Sequence, residues 1–169
     1  YLDLGYRRQL KDDGEIEFFG GKQELVRRGY FDDVDAALMV HAAEDTPGPE
    51  VTARNSTNGF VGKFVTYEGK ASHAGGAPDE GVNALNAAVM GMNGIHAARE
   101  RFRDEDAVRV HPIITKGGDG VNVVPSEVTM ESYTRAKTIA AIDEANDDVN
   151  AALEAGAMAV GARVEIDDE

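Results

Sequence analysis

Four short segments hold the side chains most able to do chemistry. Residues 69–78 read Gly-Lys-Ala-Ser-His-Ala-Gly-Gly-Ala-Pro and set His73 alone among small residues at a strand end. A ligand can approach such a site closely, and an imidazole there can donate a hydrogen bond to an anionic oxygen. Residues 117–125, Gly-Gly-Asp-Gly-Val-Asn-Val-Val-Pro, present the amide of Asn122 on a glycine turn ahead of a strand. In Tyr133-Thr134-Arg135-Ala136 the guanidinium of Arg135, near a strand end, could hold a carboxylate through two parallel hydrogen bonds. Residues 37–41, Ala-Leu-Met-Val-His, form an apolar run ending in His41. In a parallel sheet such strand ends are where ligands and metals gather.

Each segment also has a plainer reading. A histidine closing an apolar strand is often an ordinary packed residue, and His73 without its neighbours would be a turn residue. Arg135 can simply pair with an acid, and Asn122 can cap the glycine turn. His96 reads as a surface or interface residue on a helix, and His111, which precedes Pro112, is assigned no role. Ser72 and His73 do not make a nucleophile–base pair, because adjacent strand side chains point to opposite faces. The glycine turns lack the Gly-Lys-Ser/Thr ending of a phosphate loop.

The elements that must position these groups fall into two regions. In the first, residues 15–19 and 34–40 read as short buried strands around a helix at 22–28 that Gly29 closes. Strand, helix and strand in that order suggest a βαβ piece of a parallel sheet. Residues 42–49 are loop and 50–58 a polar crossing. In the second region, residues 60–67, 108–116, 128–136 and 163–166 read as strands. Val82, Leu85, Val89, Met92 and Phe102 recur at helical spacing and are expected on one buried face. Thr138 caps a second helix that carries Ile142, Val149 and Leu153 inward and ends at Gly161. The order βαββαβ is the ferredoxin-like arrangement, with two helices on one face of an antiparallel sheet. The expected fold is thus α/β (α+β), with residues 1–55 a piece of one domain and 56–169 a ferredoxin-like second domain.

Composition narrows the setting. Acids number 31 against 17 bases, for a formal charge of −14, and only six of the bases are lysine. That field repels nucleic acid and anionic membranes, so neither is an expected partner. A surface rich in carboxylates and poor in lysine suits a salt-filled cytoplasm, where screening removes self-repulsion; a halophilic, cytoplasmic protein is the expectation. The absence of cysteine excludes disulfides and thiolate metal sites within these residues. No apolar run approaches the ~20 residues a membrane span needs, and no signal-peptide pattern opens the chain. It starts at Tyr1 rather than Met, so these residues are expected to belong to a longer product.

Taken together, "GKASHAGGAPDEGVNALNA" (69–87), "ITKGGDGVNVVP" (114–125), "YTRA" (133–136) and "GYFDDVDAALMVH" (29–41) resemble the zinc-type amidohydrolases. That family includes aminoacylase, carboxypeptidase G, aminobenzoyl-glutamate hydrolase and the auxin-conjugate hydrolases. The resemblance implies a catalytic α/β domain holding two divalent metal ions (zinc, or manganese or cobalt), with a dimerising lid domain inserted into it. It implies metal-dependent hydrolysis of amide bonds in N-acyl amino acids or small peptides, by a homodimer paired through its lids. It makes His41 a metal ligand and His73 an oxyanion donor that crosses to the partner's active site. Asn122 and Arg135 become grips for the substrate's carboxylate. The family's upstream Cys-Gly-His or His-x-Asp ligands, its Glu-Glu pair and its last metal-binding histidine have no counterpart here. The Glu-Glu loop belongs where Gly20 meets Gly21, so an interruption of the chain path is expected at that junction. The alternatives are a non-catalytic module for dimerisation or amino-acid binding, or an inactive truncated remnant.

Overall fold

The computed structural model describes residues 4–39 and 57–169, which fall into two compact units. The expected ligand His41 lies outside the described residues. No described helix is long and apolar enough to cross a membrane.

The first unit contains helix α1 (Leu4–Asp12), which the sequence pattern does not announce, and helix α2 (Gly21–Arg27). Gly29, at φ 77°, follows α2 in the left-handed conformation and donates its N–H to Val26 O, as the closing glycine should. Residues 15–19 are not a strand. The N–H groups of Glu15 and Ile16 bond to Leu10 O, and those of Glu17 and Phe18 bond to the carboxylate of Glu24. With its amides used this way, the run has nothing left to offer a ladder. Glu24 is itself buried and gathers Arg27 and Arg28; their hydrogen bonds hold its carboxyl far below the usual carboxylate range. Residues 34–39 form no strand either. Leu38 is 94% exposed, and no strand in this unit is available to pair with it among the described residues. A parallel strand needs covered faces and neighbours. The junction expected to be interrupted is regular: Gly20 (φ −77°, ψ 114°) caps α2 and its carbonyl accepts from Glu24 N–H.

The second unit has the expected βαββαβ order. Its strands are β1 (Gly59–Glu68), β2 (Arg109–Val110), β3 (Ile113–Lys116), β4 (Glu127–Ala136) and β5 (Arg163–Asp168). Its helices are α3 (Ala84–Ala98) and α4 (Ile139–Val160). The sheet runs β2/β3, β4, β1, β5, antiparallel throughout. Strand 108–116 is broken in two at His111–Pro112. Proline has no N–H to give the ladder, and both halves still pair with β4.

Alternation along β1 and β4 sends Val65, Tyr67, Val128 and Met130 into the core beneath both helices, and Phe60, Tyr133 and Arg135 to the outer face. Thr138 caps α4 by accepting from Ala141 N–H, and Gly161, at φ 74°, ends it. Ile142, Val149 and Leu153 are buried, as expected. The buried stripe of α3 differs from expectation: it is Ala84, Ala87, Ala88, Gly91 and Ile95, with Val82 and Leu85 partly covered and Val89 44% exposed. Close helix approach is the reason. A Cβ on Gly156 would lie 2.4 Å from Gly91 N and 2.5 Å from Ala87 O, so only small side chains fit where α3 crosses α4. Phe102, beyond the end of α3, packs against the core's margin.

Candidate functional site

His73 lies in the 69–83 connection between β1 and α3, and two loops hold that connection in place. Gly69 N–H donates to Ser126 O, Val124 N–H to Ser72 O and Ala74 N–H to Asn122 O, each within 3.0 Å. Gly69 is required here because a Cβ on it would lie 2.1 Å from Val82 O. The backbone thus sets His73 opposite Val123 in a short antiparallel bridge and brings the His73 and Asn122 loops together at one end of the sheet. Both side chains are exposed. Ser72, by contrast, buries its hydroxyl, so the two neighbours face apart as expected for a strand pair.

The His73 ring is oriented by its own turn. Nδ1 accepts from Gly75 N–H at 3.1 Å and Gly76 N–H at 2.9 Å. A neutral imidazole whose Nδ1 accepts carries its proton on Nε2. The outward nitrogen is therefore a donor, which is the chemistry an oxyanion needs.

Arg135 sits elsewhere. It lies on the outer face of β4, paired in register with Phe60 on β1. Its guanidinium carbon stands 5.3 Å from the ring centroids of both Phe60 and Tyr133, which meet each other edge to face at 5.3 Å. These rings hold the guanidinium by cation–π contact and restrict its swing. Tyr133 lies in the quoted motif without a role of its own and Phe60 in none, although strand alternation already puts residues 133 and 135 on one face. Along β1, residue 60 is eight positions from residue 68, which pairs with Glu127 beside the His73 and Asn122 loops. At about 3.3 Å per residue, roughly 25 Å separates Arg135 from those loops within one protomer.

A second polar group is buried in the core. Lys63, on the helix-facing side of β1, donates to Asn150 Oδ1 at 2.6 Å and to Asp168, which also accepts from Asn146. Burial pushes the Lys63 amine down, against the pull of Asp168. Burial pushes the Asp168 carboxyl up, but the bonds from Lys63 and Asn146 outweigh it and the net shift is downward.

No three described His, Asp or Glu side chains converge as metal ligands would. The described residues therefore do not make up a dinuclear site.

The sheet, its helix pair and the exposed imidazole and guanidinium define an α+β domain with hydrogen-bond donors at its surface. The chain belongs to the peptidase dimerisation domain family, matched over residues 55–160. It is 34% identical over 152 residues to the Xaa-Arg dipeptidase of Mus musculus, covering 89% of this chain and 33% of that protein. It is 31% identical over 146 residues to one of the two p-aminobenzoyl-glutamate hydrolase subunits of Escherichia coli (strain K12), covering 86% of this chain and 33% of the relative. Among solved structures, an aminobenzoyl-glutamate utilization protein from Klebsiella pneumoniae superposes with a TM-score of 0.58 at 30% identity, covering 64% of this chain and 27% of that one. The chain spans about a third of the length of the curated relatives it matches.

Proposed function

We propose that residues 56–169 are the lid and dimerisation part of a metal-dependent hydrolase of amide bonds in N-acyl amino acids or small peptides, and residues 1–55 a piece of its catalytic α/β domain. Hydrolysis of amide bonds by the relatives supports the reaction class. His41 is proposed as one ligand of its divalent ions (zinc, manganese or cobalt). The contribution of this chain's described groups is donor chemistry. His73 donates from Nε2 to the oxyanion of the tetrahedral intermediate in the partner's site, while Asn122 and Arg135 hold the substrate's carboxylate.

The observation that carries this reading is the separation of those groups along one sheet. An acylated amino acid does not span roughly 25 Å, eight strand residues at about 3.3 Å each. A site that uses all three residues must draw His73 and Asn122 from one chain and Arg135 from another. The two sheet edges differ in a way that favours such a dimer. The β5 edge carries Glu165 and Asp167, whose charges deter pairing. The β2–β3 edge carries Ile113 (57% exposed) and Ile114 (36% exposed). Val89 and Met90 of α3 are exposed as well, and α4 rather than α3 makes the contact with β5. Two-fold, antiparallel pairing of β3 with its copy would set the Lys116 end of one edge beside the Arg109 end of the other. The His73 and Asn122 loops then come to the partner's Arg135.

The test is His73→Ala in the full-length, metal-loaded protein. Loss of one oxyanion donor lowers kcat by roughly 10²–10³-fold, with thermal midpoint and metal content unchanged. An unaltered kcat would refute the donor role.

A further inference from the structure

Arg135 is restrained without being neutralised. Among the described residues its guanidinium makes no ion pair, in a chain that carries 31 acids. Its cross-strand partner on β2 is another cation, Arg109. On the same face of β4 the nearest acid is Glu131, four residues along and roughly 13 Å away at about 3.3 Å per residue. That lies beyond the ~8 Å over which surface charges act at physiological salt. Two rings take the place an acid would fill. Phe60 faces Arg135 in register from β1, and Tyr133 stands two residues before it on the same face of β4. Each ring centroid lies 5.3 Å from the guanidinium carbon. Gly62, the residue paired with Tyr133, puts no side chain between the two rings, which meet edge to face. Phe60 is 50% exposed and Tyr133 41%, so burial does not account for aromatic residues here.

An acid at either ring's position would restrain the guanidinium about as well, since exposed ion pairs and exposed cation–π contacts are of similar strength. It would also occupy the N–H groups and cancel the charge that an incoming carboxylate needs. A ring attracts the cation through its quadrupole, carries no net charge to cancel it, and leaves the N–H fork open to a pair of oxygens. We infer that Phe60 and Tyr133 are positioning residues of the carboxylate grip: they hold Arg135 in place while leaving it fully charged. The gain is pre-organisation. A free arginine loses side-chain freedom when it closes on a ligand, and one already bracketed by rings has less to lose. This rests on the proposal that Arg135 holds the substrate's carboxylate. The rings act through Arg135 and touch no ligand themselves.

The experiment is calorimetric binding to the full-length, metal-loaded protein. The probes are 4-oxopentanoate, which is N-acetylglycine with CH2 in place of the scissile N–H, and 4-oxopentanamide, which lacks the carboxylate. Arg135→Gln should weaken the carboxylate probe about tenfold, the scale of a charge-assisted pair, and leave the amide as it was. Phe60→Leu and Tyr133→Leu should each weaken the carboxylate probe about two- to fivefold, the scale of one exposed cation–π contact, again without effect on the amide. Tyr133→Phe keeps the ring and should bind as wild type does. In an Arg135→Gln background the ring substitutions should have no further effect, because their whole action passes through the guanidinium. Thermal melts check that each variant folds. The inference is overturned if the ring variants bind as wild type does, if they weaken both probes equally, or if they weaken the carboxylate probe as much without Arg135 as with it. No measurable binding of the carboxylate probe overturns it too. If Arg135→Gln itself leaves carboxylate binding unchanged, the grip and the inference fail together; binding that needs Arg135 but ignores the rings overturns the inference alone.

Discussion

At the scale of single residues, the side chains of greatest consequence are those whose surroundings restrict them to one state. The turn at 74–77 gives His73 two backbone donors at Nδ1, which leaves Nε2 as the donor facing outward. Lys63 in the core and Asp168 at its solvent-facing margin illustrate the same point. Asp168 ionises more readily in the folded chain than in the unfolded one, because Lys63 and Asn146 bond to its charged form. The sign follows from that: the stability it contributes is fully present above the unfolded carboxyl's range, near 3.8, and is lost as pH falls through the lower folded value. Denaturant midpoints measured across pH 2–6 should therefore fall on the acid side, and Asp168→Asn should flatten that limb. An unchanged acid limb in the variant would show that Asp168 contributes nothing there. The motifs around His73 and Asn122 were legible in the sequence because small residues crowd them in a fixed order. The contact of Phe60 with Arg135 was not, since it depends on a cross-strand register 75 positions apart that no local pattern encodes.

At the scale of elements, the strands and helices of the second unit followed from alternation and caps, and their exact buried faces did not. Apolar periodicity favoured Val82, Leu85 and Val89 on α3, but the helix buries its alanines and Gly91. A large side chain seeks burial only if the opposing element leaves room, and α4 approaches too closely through Gly156. Gly156→Val should therefore destabilise by about 1–3 kcal/mol or more, the usual cost of overpacking, read as a lower denaturant midpoint at unchanged slope. A midpoint equal to wild type would show that the helices do not touch there. In the first unit the misreading had a different origin. Short apolar runs such as residues 15–19 do not by themselves distinguish a strand from a coil, and here Glu24 takes the amides a strand would have used.

At the scale of the whole molecule, the proposed site draws on two copies of the chain. One protomer presents the His73 imidazole at one end of its sheet and the Arg135 guanidinium at the other. On the same proposal the partner takes the β3 edge, where Ile113 and Ile114 are exposed, rather than the acidic β5 edge. The direct measurement is complementation in the full-length, metal-loaded protein between His73→Ala and Arg135→Ala. Each variant alone lacks one group in both of its sites. In a mixed dimer, a site built from two chains can combine the intact His73 of one with the intact Arg135 of the other. Random reassortment makes half the dimers mixed, with one of two sites whole, so about a quarter of wild-type turnover should return. If mixed dimers form and turnover stays at the level of the separate variants, both groups serve the same chain's site and the two-chain site is refuted.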